Sequence, residues 1–552
     1  MYNTNRNILL LVFCFLILLS CNENKKPKVL ENASIESLLI NGHQITNGGK
    51  INDLPFDENI IIDIEFSVPV NLEGWDSEKI YVSNIIPDHL EIRAGYSNKN
   101  IIIIIDKTAL KPFSLYRLSI LSGEYFGVKI SEYFNCTLLT CLDPAPKFPI
   151  IDDEELLTLV QQQTFKYFWD FGHPVSGMAR ERSSSGDIVT TGGTGFGIMA
   201  MIVAVERGFI TRTQAIERLQ TIVSFLDKQC TKYHGAFAHW VNGRTGVTQP
   251  FSAYDDGGDL VETALLMQGL LAARQYFNSA DDAELRLNED ITKLWKAVDW
   301  TWYQKNSENV LYWHWSPKHE WRMNMKIIGW HEALIVYVLA ASSPTHSIPK
   351  KVYDQGWAQN GNIKNGKSFY SHLLPLGPDF GGPLFFSHYS FLGLNPAKLK
   401  DTYADYWEQN RNHTLINYKY CVANPKRYIG YSENCWGLTA CDGNNGYNAF
   451  SPTNDQGVIA PTAAISSMPY TPKESMQALK FFYYTFGDKL WKEYGFRDAF
   501  NLSEQWVASD YLAIDQGPII VMLENFRSGL IWNLFMNIEE IKTGLEKLGF
   551  SY

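Results

Sequence analysis

The chain has 552 residues, 45% of them hydrophobic and only 19% charged, which is too long for one ordinary core and too apolar for a disordered chain. A formal charge of −11, with no basic run interleaved with aromatics, argues against a nucleic-acid surface. Aromatic residues reach 14%, an excess that fills a core and also suits stacking against flat, weakly charged ligands such as sugars.

The chain opens with "MYNTNRNILLLVFCFLILLSC", one positive charge at Arg6 and then an apolar run from Ile8 to Leu19. That run fits a secretory signal over residues 1–20 and is short for a membrane span. Leu18-Leu19-Ser20-Cys21 resembles a bacterial lipobox, which implies cleavage before Cys21, acylation of its thiol and an exported, outer-membrane-anchored protein. Residues 21–28 then form a polar tether, and contact with the membrane is expected only through the lipid. Removing Cys14 and Cys21 leaves six cysteines. The pairs Cys136/Cys141 and Cys435/Cys441 read as buried thiols or one local bridge. No CxxC, HExxH or calcium-loop spacing occurs, so neither metal nor other cofactor is expected.

From residue 29 to 141 the hydrophobic pattern has period two. "IDIEFSVPV" alternates Ile62, Ile64, Phe66 and Val68 with polar or small residues, and "IIIIIDK" and "LYRLSIL" read as further strands. Short strands between Asn, Gly and Pro turns predict a small all-β, immunoglobulin-like sandwich. The proline-rich stretch 142–151 is a linker. Beyond it the period becomes helical, from "DEELLTLVQQQTFKYFWDF" to "IEEIKTGLEKLG". Thr211 with Gln214, and Thr471-Pro472 with Glu474, fit helix-start boxes. Several segments are apolar on more than one face, as inner helices of a double layer must be. A toroid of paired helices over 152–552 is the natural architecture; an open solenoid fits the same pattern.

"YDDGGDLVETALLMQG" crowds Asp255, Asp256, Asp259 and Glu262 at the mouth of an apolar helix. One carboxylate there is an ordinary cap. Four within eight residues repel one another, which separates their pKa values and suits acid and base roles. Asp255, Asp259 and Glu262 share a helical face if the first turn reaches back to Asp255. Glu332 stands alone before the apolar run of "WHEALIVYVLAA", where burial would raise its pKa and suit a general acid. Between them "YWHWSPKHEWRMNMK" offers Trp313, Trp315 and Trp321 with His314 and Arg322 as an aromatic platform with polar handles. "GGTGFG" is a weak nucleotide signal, lacking a βαβ unit and a following Lys-Ser/Thr. Asp442, Asp455, Asp510, Asp515 and Glu524 read as loop-borne carboxylates suited to hydroxyl recognition.

Taken together, "TGFGIMAMIVAVERG", "GAFAHWVNGRTG", "YDDGGDLVETALLMQG", "YWHWSP", "GWHEALIVYVLA", "GGPLFFSHYSFLGL", "WGLTACDG" and "DQGPIIVMLENFRSGLIW" resemble the bacterial glycoamylase-like proteins. Within them they resemble the endo-β-1,2-glucanases of glycoside hydrolase family 144. The resemblance implies an (α/α)6 barrel and inverting cleavage of a β-1,2-glucan. A glucan polysaccharide or oligosaccharide is the expected partner, and the protein is expected to be a monomer. The resemblance carries the family's acidic positions onto Glu332, Glu262, Asp259 and Asp255. Glu332 then reads as the acid, raised by its apolar helix, with Asp255 or Asp259 as base and Glu262 supporting, and an exchange of the Glu262 and Glu332 roles fits almost as well. His239 and Tyr389 join Trp313, Trp315, Trp321, His314 and Arg322 as expected glycan contacts. "CDGNNGYNAFSPTNDQG" is longer than the usual family loop. A glycan-binding protein without chemistry, a lyase, or a hydrolase of another glucan such as an α-glucan, are the competing readings.

Overall fold

The computed structural model describes residues 29–552. Backbone contacts divide the chain into two compact units, one ending at Pro144 and the other Ala145–Tyr552. The lipobox cysteine Cys21 and its tether lie outside the described residues.

The first unit is sheet-rich. One sheet has the order β2-β1-β4-β7-β6, from β1 (Ile35–Ile40), β2 (His43–Gln44), β4 (Ile60–Phe66), β6 (Leu90–Ala94) and β7 (Asn100–Ile105), all antiparallel. A second has the order β3-β9-β8-β5, from β3 (Lys50–Leu54), β5 (Ile80–Val82), β8 (Leu115–Ile120) and β9 (Phe134–Thr140), with β3 parallel to β9. Strand β4 shows why the sheets form: Ile60, Ile62, Ile64 and Phe66 are buried while Ile61 and Glu65 are exposed, the signature of a sheet with one covered face. Leu38, Ile62 and Ile103 from one sheet share a core with Ile80, Leu118 and Leu138 from the other.

The second unit is built from helices. In chain order they include α1 (Asp153–Trp169), α2 (Thr191–Glu206), α3 (Arg212–Lys228), α4 (Leu260–Tyr276), α5 (Asp282–Ala297), α6 (Leu334–Ser342), α7 (Tyr406–Ala423), α8 (Pro461–Ile465), α9 (Pro472–Lys480), α10 (Ala513–Arg527), α11 (Leu530–Met536) and α12 (Glu539–Leu548). Helices α2, α4, α6 and α10 are buried along most of their length, whereas α3, α5 and α12 bury one stripe only. Inner helices touch in sequence: α2 packs on α4, α4 on α6, and α8 on α10, which returns to α2. The outer helices pack behind them, α3 beside α5 and α12 against the inner helix α6.

The α2–α4 contact is close because of glycines. A Cβ on Gly195 would lie 2.2 Å from the Leu265 carbonyl, and one on Gly269 would lie 2.1 Å from the Gly195 carbonyl. The run "GGTGFG" is therefore part of a buried helix, not a phosphate loop. Local signals fared unevenly. The Thr211/Gln214 capping box is present. Thr471 caps nothing with its side chain, since its hydroxyl sits 3.1 Å from the Ser475 hydroxyl and 3.4 Å from the Ser467 carbonyl. All six described cysteines are free thiols, Cys435 and Cys441 included. Among the described residues no helix is long and apolar enough to cross a membrane.

Candidate active site

The approach to α4 is a short strand, β10 (Gly258–Asp259), paired antiparallel with β11 (His314–Trp315). This pairing brings the "YWHW" stretch against the acidic motif, and the Leu260 N–H donates to the Trp313 carbonyl at 2.8 Å. Helix α4 begins at Leu260, so Asp255 stands in the turn before β10 rather than on a helical face. The carboxylates converge through that turn instead.

Asp259 is the cap of α4. Its Oδ1 accepts from the backbone N–H groups of Val261 and Glu262, both at 2.9 Å. Its Oδ2 accepts from the Trp313 indole at 3.0 Å and lies 3.2 Å from His239 Nδ1. With both oxygens engaged and no exposure, Asp259 holds its neighbours in place. Glu262 follows in the first turn and faces the cavity. Its Oε2 accepts from the Gly192 N–H at 2.7 Å and the Thr190 hydroxyl at 3.2 Å, at the start of α2, while Oε1 lies 3.8 Å from His239 Nε2. A side chain at position 192 would crowd that carboxylate, with a Cβ 2.8 Å from Oε2.

These carboxylates do not titrate alike. Burial raises Glu262 above the ordinary range, a rise opposed by His239 and reinforced by Asp259. Asp255 is pushed up to about 7, chiefly by burial and then by the charge of Asp259, and its Oδ1 lacks a hydrogen-bond partner. His239, partly exposed on the cavity wall, goes the other way for a desolvated imidazole. Burial opposes its charge, but Glu262 and Asp259 outweigh that and lift it to about 9. The acidic crowd thus encloses one imidazolium, stacked on Phe251 with ring centres 4.2 Å apart. Ligand atoms of His239, Asp255 and Asp259 lie within 4.8 Å of one another and could surround a cation, a cluster formed by tertiary contact that no sequence spacing reveals. The His239 proton already supplies positive charge there.

Glu332 comes from a different element. Helix α6 starts at Leu334, two residues later than the burial argument for Glu332 needs, so this carboxylate sits in the bend before the helix. The Ser390 hydroxyl donates to the Glu332 carbonyl and accepts from the Ile335 N–H at 3.0 Å, capping α6 from a distant segment. The Glu332 side chain lies 3.4 Å from His331 Nδ1 and lines the same cavity as Glu262.

That cavity has a volume of about 370 Å³ and is lined by His239, Trp240, Phe251, Glu262, Trp313, Glu332, Phe385, Tyr389 and residues of three further segments. Those segments contribute Glu181 and Arg182, Ala440 and Tyr447, and Leu512 and Ile514. Of the residues singled out in the sequence, Glu262, Glu332, His239, Trp313 and Tyr389 reach the wall. Asp255 and Asp259 are buried beside it. Four of the expected glycan contacts lie elsewhere. Trp315 and Trp321 pack around Trp302, at 5.5 and 6.3 Å between ring centres. His314 is buried with Nε2 accepting from the Gly257 N–H at 2.9 Å, and Arg322 lies over the Tyr254 ring at 5.3 Å. Asp515 and Glu524 are helical rather than loop-borne, both in α10, and Glu524 is matched by Arg207 at 2.7 Å. Asp455 accepts from the Tyr420 and Tyr431 hydroxyls at 3.0 and 2.7 Å, a structural role. Glu181, Arg182 and Tyr447 carried no local signal, because their positions on the wall depend on segments far apart in sequence.

Carboxylates and aromatic faces converging on one cavity in a helical unit define a carbohydrate-active class of site. Comparison with known proteins narrows the class. The Glycoamylase family model, described as "Putative glucoamylase", matches residues 324–539. The exo β-1,2-glucooligosaccharide sophorohydrolase (non-reducing end) of Parabacteroides distasonis is 45% identical over 426 residues, 73% of this chain and 59% of that protein's length. The endo-β-1,2-glucanase of Chitinophaga pinensis, solved with sophorotriose and glucose, is 52% identical with a TM-score of 0.71, over 73% of this chain and 99% of its own. The β-1,2-glucanase structure from Parabacteroides distasonis is 36% identical with a TM-score of 0.71, over 95% of this chain and 73% of its own. The chain belongs to the glycoamylase-like family, alongside these β-1,2-glucanases.

Proposed function

We propose that the protein is a glycoside hydrolase that cleaves β-1,2-glucan with inversion, using the paired carboxylates of the cavity. The observation that carries this reading is that Glu262 and Glu332, from different elements, line one cavity with aromatic faces beside them. The relatives support the substrate: one is named for releasing sophorose from β-1,2-gluco-oligosaccharides, another was solved with sophorotriose and glucose.

In this account Glu332 is the general acid. Its carboxyl lines the cavity, 3.4 Å from His331 Nδ1 and with Tyr389 on the same wall, where a glycosidic oxygen could receive its proton. Glu262 is the base. Two donors fix its Oε2, so the other oxygen has a set direction for holding water, and His239 beside it favours the ionised form. Inversion requires about 6.5–9.5 Å between the carboxyl groups to admit that water. Asp259 positions both His239 and the Trp313 indole, and Asp255 adds to the surrounding field. Because Glu262 is raised by burial, the rate should climb with pH through a value above the ordinary carboxylate range.

We read the helical unit as an (α/α)6 toroid and the first unit as an immunoglobulin-like sandwich. The ring-like sequence of inner contacts supports the former and the shared two-sheet core the latter. Leu18-Leu19-Ser20-Cys21 supports a lipid anchor on Cys21, and we read the protein as a monomer tethered by it to the outer membrane. The mechanism is tested by following the first-formed anomer by NMR during early hydrolysis. Inversion of a β linkage gives the α-anomer first; a β-anomer appearing first would rule the mechanism out.

A further inference from the structure

One stretch of the cavity wall has no part in the acid–base chemistry above. Arg182 lies there with Nε 3.0 Å from Glu181 Oε2 and Nη1 2.9 Å from Asp442 Oδ1. Asp510 stands 3.9 Å from Nη1 and is itself held by the Ser183 and Ser184 hydroxyls at 2.5 and 2.6 Å. Among the described residues Nη2 makes no hydrogen bond. Three carboxylates around one guanidinium leave no net positive charge to attract an anion, but they fix the plane of the side chain and leave the two N–H donors of Nη2 free.

Asp442 also opens the hairpin between β12 (Ala440–Cys441) and β13 (Asn448–Ala449). Its backbone N–H donates to Asp498 Oδ2 at 2.7 Å. Gly443 and Gly446 exchange backbone bonds of 3.1 and 2.9 Å, which turn the hairpin and deliver Tyr447 to the cavity. Tyr447 is 52% exposed, and its hydroxyl has no hydrogen-bond partner among the described residues. Tyr389 lines the same cavity, its ring fixed by Phe196 and Phe385 at 5.1 and 5.0 Å, and its hydroxyl is likewise unengaged among the described residues. Asp498 and Asp515 are buried behind Asp442, with their carboxyls placed to hydrogen-bond each other once one of them is protonated.

The geometry points to a sugar subsite on this stretch, in which Arg182, Tyr447 and Tyr389 take the hydroxyls of an uncharged glucosyl unit while the surrounding carboxylates turn away an anionic sugar. It rests on the glucan-hydrolase reading. Hydroxyls need donors in fixed directions rather than charge, and this stretch offers a held guanidinium and two phenols. A carboxyl-bearing sugar would instead meet Glu181, Asp442 and Asp510 with only Arg182 to balance them.

The test is steady-state kinetics on β-1,2-linked gluco-oligosaccharides of rising length, with wild type, Tyr447→Phe and Arg182→Lys, together with calorimetric binding of sophorose. Tyr447→Phe should raise KM for the trisaccharide by about fivefold, the loss of one neutral hydrogen bond, with kcat within about twofold and Tm unchanged. Arg182→Lys should raise KM by about tenfold or more. An oligosaccharide carrying a uronic acid in place of its terminal glucose should show kcat/KM at least about tenfold below the neutral one. Wild-type KM at every length and wild-type sophorose affinity in Tyr447→Phe would overturn the subsite, as would equal turnover of the uronate. If wild type cleaves no β-1,2-glucan, the hydrolase reading falls and binding decides the subsite. Sophorose affinity weakened in both variants upholds it, and no binding, or equal binding, sinks it.

Discussion

Asp498 and Asp515 show what a single buried carboxyl does to the stability of this chain. Burial pushes Asp498 up to about 7 from the ordinary 3.8, with Asp442 adding to the rise, and Asp515 is raised further by burial and by Asp498 itself. Between those values the folded state keeps a proton that the unfolded chain has released. Stability therefore falls as pH climbs from about 4 to about 7, the reverse of an ion-paired carboxylate. Asp498→Asn keeps an oxygen for the Asp442 N–H and removes the charge. Scanning calorimetry should find its Tm above wild type by about 2 °C at pH 8, with the gap closing by pH 5. An unchanged pH slope would mean that the pair carries no such cost. The same scale shows what a sequence reveals. Asp255, Asp259 and Glu262 stood out because like charges were dense along the chain. Arg182 and Asp498, equally anomalous in space, are isolated among ordinary neighbours and come together only through contacts between segments.

Helix α2 carries the consequence at the level of elements. Its glycines let the backbone approach α4 closely enough for the Gly192 N–H to meet Glu262, so packing and site share one contact. Gly195→Ala would press a methyl group to 2.2 Å from the Leu265 carbonyl, which backbone cannot relieve without separating the helices. The expected cost is about 1–3 kcal/mol or more, seen as a lower denaturation midpoint together with lost activity. Full activity at wild-type stability would show that the close contact is not needed. Helix identity was legible from the apolar runs, but helix starts were not. Ser390 caps α6 from fifty-odd residues away, and that distant cap leaves Glu332 in a bend where local pattern placed it near a buried helix. Likewise the turn before β10, rather than helical spacing, gathers Asp255 with Asp259.

Across the whole molecule, the change from period two to a helical period near residue 150 reflects two units with separate cores. The helical unit holds the cavity and the residues assigned to chemistry, and the Chitinophaga pinensis enzyme matches a share of the chain close to that unit's length. The net charge of −11 and the carboxylates around the cavity both favour an uncharged polymer over an acidic one. The most direct measurement is reducing-end release from β-1,2-glucan, α-1,4-glucan and β-1,3-glucan by wild type, Glu332→Gln and Glu262→Gln. The account predicts release from β-1,2-glucan alone, reduced by about 10³-fold or more in each amide variant, with folding unchanged. Release from the α-linked glucan instead, or undiminished release from β-1,2-glucan by both variants, would contradict it.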